Sequence, residues 1–183
     1  MYLQPKVALP ERRIVGAEAL VRWISPEGML CPNEFVPLFE RDGVIAELDF
    51  YMFCQVCALL KRWEREGRPL FCVSVNVSRS NFDVSDFFAR YERHIAENQV
   101  PARYLEFEFT ESVVFDRTDE INQVIRRIHA LGARCSMDDF GSSYSSLNML
   151  RSLEVDIIKL DQDSSAEIPT WTRQGASSTA SWA

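Results

Sequence analysis

Residues 104–139 read YLEFEFTESVVFDRTDEINQVIRRIHALGARCSMDD, and this stretch decides the fold. Residues 104–110 alternate in character. Side chains along a strand point to opposite faces in turn, so Phe107 and Phe109 share one face and Glu106, Glu108 and Thr110 the other. Ile121, Val124, Ile125, Ile128 and Leu131 follow at helical spacing, on one face of a helix that stops at Gly132. Residues 133–137 then form a second strand, which ends in two adjacent carboxylates, Asp138 and Asp139. A strand, a helix and a strand at this spacing imply parallel pairing, with the helix covering the sheet.

The same alternation extends outward. Residues 2–9, 14–23 and 70–77 read as strands upstream, and residues 155–160 as a strand downstream, after a loop and a short helical turn. Residues 35–40, 45–66 and 84–97 read as helical, the second stopping at Gly67. That makes about six strands. An open doubly wound sheet and a barrel both satisfy the pattern, and a complete (β/α)8 barrel takes about 250 residues against 183 here. Residues 162–183, QDSSAEIPTWTRQGASSTASWA, carry no period and are dominated by Ser, Thr, Ala and Gly. They predict a disordered tail behind a domain at residues 1–161.

Composition narrows the function classes. Hydrophobic residues at 46% and charged residues at 26% describe a folded globular chain. Twenty Lys and Arg against 27 Asp and Glu leave a net charge of −7, unsuited to general binding of nucleic acid or anionic membrane. A phosphate ligand remains acceptable where a cation neutralises the local carboxylates. The N-terminus lacks the pattern of a targeting segment, and no run approaches the roughly 20 apolar residues of a membrane span. The cysteines, Cys31, Cys54, Cys57, Cys72 and Cys135, are scattered and odd in number, which fits a reducing, cytoplasmic setting rather than a disulfide framework. The pair Cys54 and Cys57 has no second ligand pair and reads as one face of a helix. His94 and His129 fall in helical patterns and support neither a Ser-His-Asp triad nor a histidine metal site, and no phosphate-binding glycine loop occurs.

Polar groups interrupt the strands at informative places. Glu18 sits between Ala17 and Ala19, Asn76 between Val75 and Val77, and Lys159 between Ile158 and Leu160. With Glu108, Asp138 and Asp139 these lie toward the carboxyl ends of their strands, where parallel α/β folds place their sites. Each carboxylate alone is explained by capping the next helix. Several gathered together repel one another unless a cation sits among them. Oxygen donors without His or Cys select a hard ion, Mg2+, Mn2+ or Ca2+, over zinc.

These residues resemble a known family. Glu18-Ala19-Leu20 with Arg22 resembles the signature of the EAL domain family, the cyclic di-GMP phosphodiesterases. The likeness spans residues 2–161: Leu3-Gln4-Pro5, Val15 to Trp23, Phe35-Val36-Pro37-Leu38, Val75-Asn76-Val77-Ser78, Glu108-Phe109-Thr110-Glu111, Asp138-Asp139-Phe140-Gly141 and Lys159-Leu160-Asp161 all occur in family order. The resemblance implies a modified (β/α)8 barrel with about six of its eight strands present. It implies that Glu18, Asn76, Glu108 and Asp138 hold one Mg2+ or Mn2+, and that Asp138 and Asp139 hold a second. Lys159 then orients the hydrolytic water, Glu111 steadies the loop after Asp139, and Gln4, Arg22 and Asp161 contact the substrate. The implied reaction opens cyclic di-GMP to linear pGpG, and the implied partners are a second copy of the chain or a sensory or GGDEF domain. Two departures accompany the likeness. Ser142-Ser143 stands where the family has Thr-Gly, and nothing after Asp161 matches the family's Glu-Gly-Val-Glu or Gln-Gly strands. The expectation is therefore a C-terminally truncated phosphodiesterase, weak or inactive alone. The alternatives are a non-catalytic cyclic di-GMP-binding or protein-interaction module and a non-functional fragment.

Overall fold

The computed structural model describes residues 1–141 and 153–160. Strand β1 (Tyr2–Ala8) turns back into β2 (Arg13–Leu20). A small hairpin of β3 (Trp23–Ser25) and β4 (Gly28–Leu30) leads to α1 (Pro32–Arg41) and α2 (Ile45–Arg65). Strand β5 (Cys72–Asn76) is followed by a 3-10 turn over Arg79–Asp83 and by α3 (Phe88–Asn98). Strand β6 (Leu105–Thr110) runs straight into α4 (Glu111–Asp116) and α5 (Thr118–Ala130). Strands β7 (Arg134–Phe140) and β8 (Ile157–Leu160) complete the described part. The main sheet has the order β1-β2-β5-β6-β7-β8 and curls into an incomplete (β/α)8 barrel, six strands among the described residues.

Strand register sorts the side chains by chemistry. Gln4 lies opposite Glu18, Glu18 beside Ser74, Ser74 beside Glu106, Asn76 beside Glu108, Glu108 beside Ser136 and Thr110 beside Asp138. Ser136 pairs with Ile157, which brings Lys159 to the same face two residues later. One face of the sheet thus gathers the polar and charged side chains. The other carries Ala17, Ala19, Val73, Val75, Phe107, Phe109, Cys135 and Met137, all buried. There Phe53 of α2 and Phe88 and Tyr91 of α3 close on Phe107, with ring centroids 5.8, 5.4 and 6.0 Å away. Each such side chain contributes about 1.5–3 kcal/mol by leaving water. Strands β2 and β5 approach closely at Gly16, where a Cβ would stand 2.8 Å from the Cys72 carbonyl oxygen.

The observed elements differ from the sequence reading at several places, three of which bear on the sheet and its helices. The β1–β2 pair is antiparallel, because residues 9–12 are too few for a crossover. The strand expected over residues 14–23 ends at Leu20, and Ser25-Pro26-Glu27-Gly28 folds the following residues into the β3–β4 hairpin. The helix expected over residues 84–97 starts only at Phe88, because Asp86 takes a left-handed conformation at φ 49°. Among the described residues no helix is long and apolar enough to cross a membrane. Ser142 and Ser143, the helical turn expected beyond them, Asp161 and residues 162–183 lie outside the described residues.

Candidate metal centre at the strand ends

Glu18, Glu108 and Asp138 rise from β2, β6 and β7 onto the polar face. One carboxylate oxygen from each lies within 4.8 Å of the others. Lys159, from β8, stands among them. Its Nζ donates to Asp138 Oδ2 at 2.6 Å, to Glu18 Oε2 at 3.0 Å and to Glu108 Oε2 at 3.1 Å. Asn76 Nδ2 donates to Glu18 Oε1 at 3.2 Å.

Glu108 is only 1% exposed, so its charge needs partners. It has one at each oxygen, because Lys6 Nζ donates to Glu108 Oε1 and to Glu106 Oε1, both at 2.8 Å. Burial pushes the Glu108 carboxyl up, but the Lys6 and Lys159 ammoniums outweigh it and hold the group below the usual carboxylate range. Burial pulls Lys159 down, and the surrounding carboxylates, Glu108 foremost, more than restore it. Four carboxylates, Glu18, Glu106, Glu108 and Asp138, face two ammoniums. The two remaining formal negative charges are the deficit that one divalent cation neutralises, and an all-oxygen donor set of this spacing fits a hard ion.

The carboxyl end of β7 is shaped around this cluster. The β7–β8 ladder slips register between Met137 and Phe140, and Asp139 sits at φ 57°, a left-handed conformation rare for a side-chain-bearing residue. Its backbone N–H donates to Asp138 Oδ1 at 2.9 Å. Glu111, at the start of α4 and 1% exposed, accepts a 3.0 Å hydrogen bond from the Gly141 N–H, tying the end of β7 to the end of β6.

A cleft of about 610 Å³ opens beside this cluster, reaching it at Glu108 and Asn76, with Arg22, Arg79, Thr110 and Asp139 also in its wall. The Arg22 Nη1 donates to the Val21 carbonyl at 2.7 Å. Asp49 of α2 fixes the segment after β5: its Oδ2 accepts from the Ser78 N–H at 2.8 Å, from Ser78 Oγ at 2.5 Å and from Asn81 Nδ2 at 2.7 Å. Burial drives the Asp49 carboxyl above its usual range despite these donors.

Of the residues singled out in the sequence, Glu18, Asn76, Glu108, Asp138 and Lys159 meet in one cluster. Arg22, Asp139 and Glu111 border the same cleft. Gln4 is exposed on β1, opposite Glu18. Lys6 escaped the sequence reading, which placed Glu106 on the same face as Glu108 but did not assign it to the site. The parity that pairs Glu106 with Glu108 was the signal, since a second inward acid calls for a nearby cation.

Comparison with known proteins follows the geometry. The EAL domain profile matches residues 1–181. A cyclic di-GMP phosphodiesterase of Pseudomonas aeruginosa is 37% identical over 163 residues, 88% of this chain and 28% of that protein. The cyclic di-GMP phosphodiesterase NbdA of the same organism is 33% identical over 174 residues, 94% of this chain and 22% of NbdA. The chain thus spans about a quarter of the length of these curated relatives. Among solved structures, the PaMucR phosphodiesterase in complex with c-di-GMP superposes with a TM-score of 0.80 at 30% identity, over 87% of this chain and 65% of that one. An EAL enzyme in its cAMP and cyclic-di-GMP bound form gives 0.77 at 26% identity, over 88% and 45%.

Proposed function

The chain belongs to the EAL domain family, and from that premise we propose that its rim binds cyclic di-GMP and hydrolyses one phosphodiester bond to give linear pGpG. In this reading Glu18, Asn76, Glu108, Asp138 and Asp139 hold Mg2+ or Mn2+. The observation that carries it is the meeting of three carboxylates from separate strands within 4.8 Å of one another, beside a cleft that Glu108 lines. When bound, the metal supplies Lewis acidity, which makes water a nucleophile near neutral pH and draws charge from the phosphoryl oxygens.

The chain's own residues do the rest. Lys159 keeps its proton, since its surroundings raise its pKa, and so presents a fixed positive donor beside the acids where the attacking water is oriented. Lys6 keeps Glu108 ionised and turns its other oxygen toward the rim. Glu111 holds the end of β7, two residues beyond Asp139. The Arg22 guanidinium suits a phosphate oxygen pair, and the exposed Gln4 amide suits a guanine edge. Asp161, next but one to Lys159, is assigned a substrate contact. The cleft volume lies within the about 300–1,000 Å³ range of small-molecule sites. A cytoplasmic location, and work as a homodimer or beside a sensory or GGDEF domain, accompany this reading.

One observation favours a second reading, binding without turnover: Lys159 already pairs with all three carboxylates. Calorimetry with cyclic di-GMP, followed by product analysis with Mn2+, separates the two. The expected outcome is binding that Arg22→Ala weakens at least roughly tenfold, and pGpG that forms only with metal and is lost in Glu108→Gln. Binding without product transfers the assignment to the second reading, and absence of binding refutes both.

A further inference from the structure

A separate group of ligating side chains lies at the opposite ends of β7 and β8. Cys135 is the second residue of β7, on the helix-facing side of the sheet. His129 is in the last turn of α5, and Asp156 directly precedes β8. The Asp156 N–H donates to the Cys135 carbonyl at 3.0 Å, and the Cys135 N–H donates to Asp156 Oδ2 at 2.8 Å, so backbone contacts hold the two in place. His129 Nε2 lies 3.0 Å from Asp156 Oδ2 and 3.6 Å from Cys135 Sγ, and that sulfur lies 3.6 Å from Oδ2.

This is not the arrangement of an activated nucleophile. A relay places thiol and carboxylate on different ring nitrogens, whereas here both approach Nε2. The thiol is fully buried, and burial, with Asp156 beside it, pushes it up to about 12. Three different donors instead converge on one point. Zinc binds sulfur at about 2.3 Å, imidazole nitrogen at about 2.0–2.1 Å and carboxylate oxygen at about 2.0–2.2 Å; tetrahedral angles then require donors about 3.3–3.6 Å apart. The observed triangle meets each edge to within about 0.3 Å. His129 and Asp156 keep 34% and 37% of their side-chain surface exposed, so an ion can arrive from solvent and water can complete the fourth position. The mixed nitrogen, sulfur and oxygen set is softer than the all-oxygen rim, and chemistry alone would sort ions between the two.

We propose that His129, Cys135 and Asp156 form a zinc site that clasps the end of α5 to β7 and to the start of β8. On binding, the sulfur–hydrogen bond is replaced by a sulfur–zinc bond and the proton leaves to solvent, with no change of oxidation state. The clasp anchors, three residues upstream, the strand that carries Lys159.

Titration of the full chain with Co2+ tests this, because a cobalt–thiolate charge-transfer band requires a cysteine ligand and none of the rim donors is sulfur. The expected result is a band that saturates at roughly one equivalent and that excess Zn2+ abolishes. Cys135→Val removes it, and His129→Gln, a change at a half-exposed helix end, weakens Co2+ binding at least roughly tenfold. Glu108→Gln leaves the band unchanged, so failure of the rim as a metal centre would not disturb this result. No band, or one of unchanged affinity in either the Cys135 or the His129 variant, overturns the proposal. Should Cys135→Val fail to fold, His129→Gln decides the matter alone.

Discussion

Phe107 and Glu108 are neighbours in β6, are 0% and 1% exposed, and act on the fold in opposite ways. Phe107 points outward into rings from α2 and α3, and its burial is favourable by itself. Glu108 points inward, and its burial is tolerable only because two ammoniums reach it. The helix-facing side of this sheet makes the domain stable. The inward side is expensive and exact, which is what a charged ligand site requires.

Three perturbations probe that contrast, in descending size. Phe107→Ala should destabilise the domain by about 3–5 kcal/mol through lost burial and a cavity between β6, α2 and α3. A urea midpoint that moves by less than a third of this would mean the outer face is not where stability resides. Lys159→Met should lower stability by about 2 kcal/mol, below the about 3–5 kcal/mol of a fully buried broken pair because the lysine is partly solvated. Thermal melts of that variant should respond to Mn2+ more strongly than the wild type, since the released carboxylates regain a cation. Equal melts with and without metal would show that the three acids do not strain one another. The smallest effect is in pH. The folded Glu108 pKa lies below its ordinary 4.5, so its pairing contributes stability above pH 4.5 and loses it as pH falls through the lower folded value. Lys159, raised above 10.5, contributes below that pH and loses its share only as pH rises beyond it. The melting-temperature gap between wild type and Glu108→Gln should therefore be flat across neutral pH and narrow in acid. Asp49, raised by burial, has the opposite sign and belongs to both proteins, so it cancels in that difference.

Much of this was readable in residues 104–139. The two-residue period of β6 placed Glu106 and Glu108 against Phe107 and Phe109, and the helical period of α5 placed its buried face, because both signals are local. Strand polarity was less accessible. Parallel order was inferred from intervening helices, and β1 has none before β2, so the four-residue connection should have announced a hairpin. The helix starts at Phe88 and Glu111 were shifted or missed because a left-handed turn at Asp86 delays the first, and the second begins directly off the extended end of β6 at Thr110, where no hydrophobic spacing announces it. Within the site, acids were identifiable as unusual interruptions of strands. Lys6 was not, since an isolated lysine beside Pro5 gives no hint that it reaches residues a hundred positions away. The His129, Cys135 and Asp156 group was invisible for the same reason: its members belong to a helix, a strand and a loop, and only the fold makes them neighbours.

The slipped register at Asp138 and Asp139 has a consequence of its own. In an unbroken strand consecutive side chains diverge, and two adjacent acids would face opposite sides of the sheet. Here a local fault in the pleat, with Asp139 turned left-handed, brings its N–H onto Asp138 Oδ1 and puts Asp139 in the wall of the cleft that Glu108 also lines. The spacing of these acids is therefore written in the phase of the chain rather than in the length of any side chain. Exchanging an amino acid alters what is presented there. Only gaining or losing one in β7 alters where it is presented, so indels in this strand, far more than point changes, are the events that would abolish or redirect the chemistry.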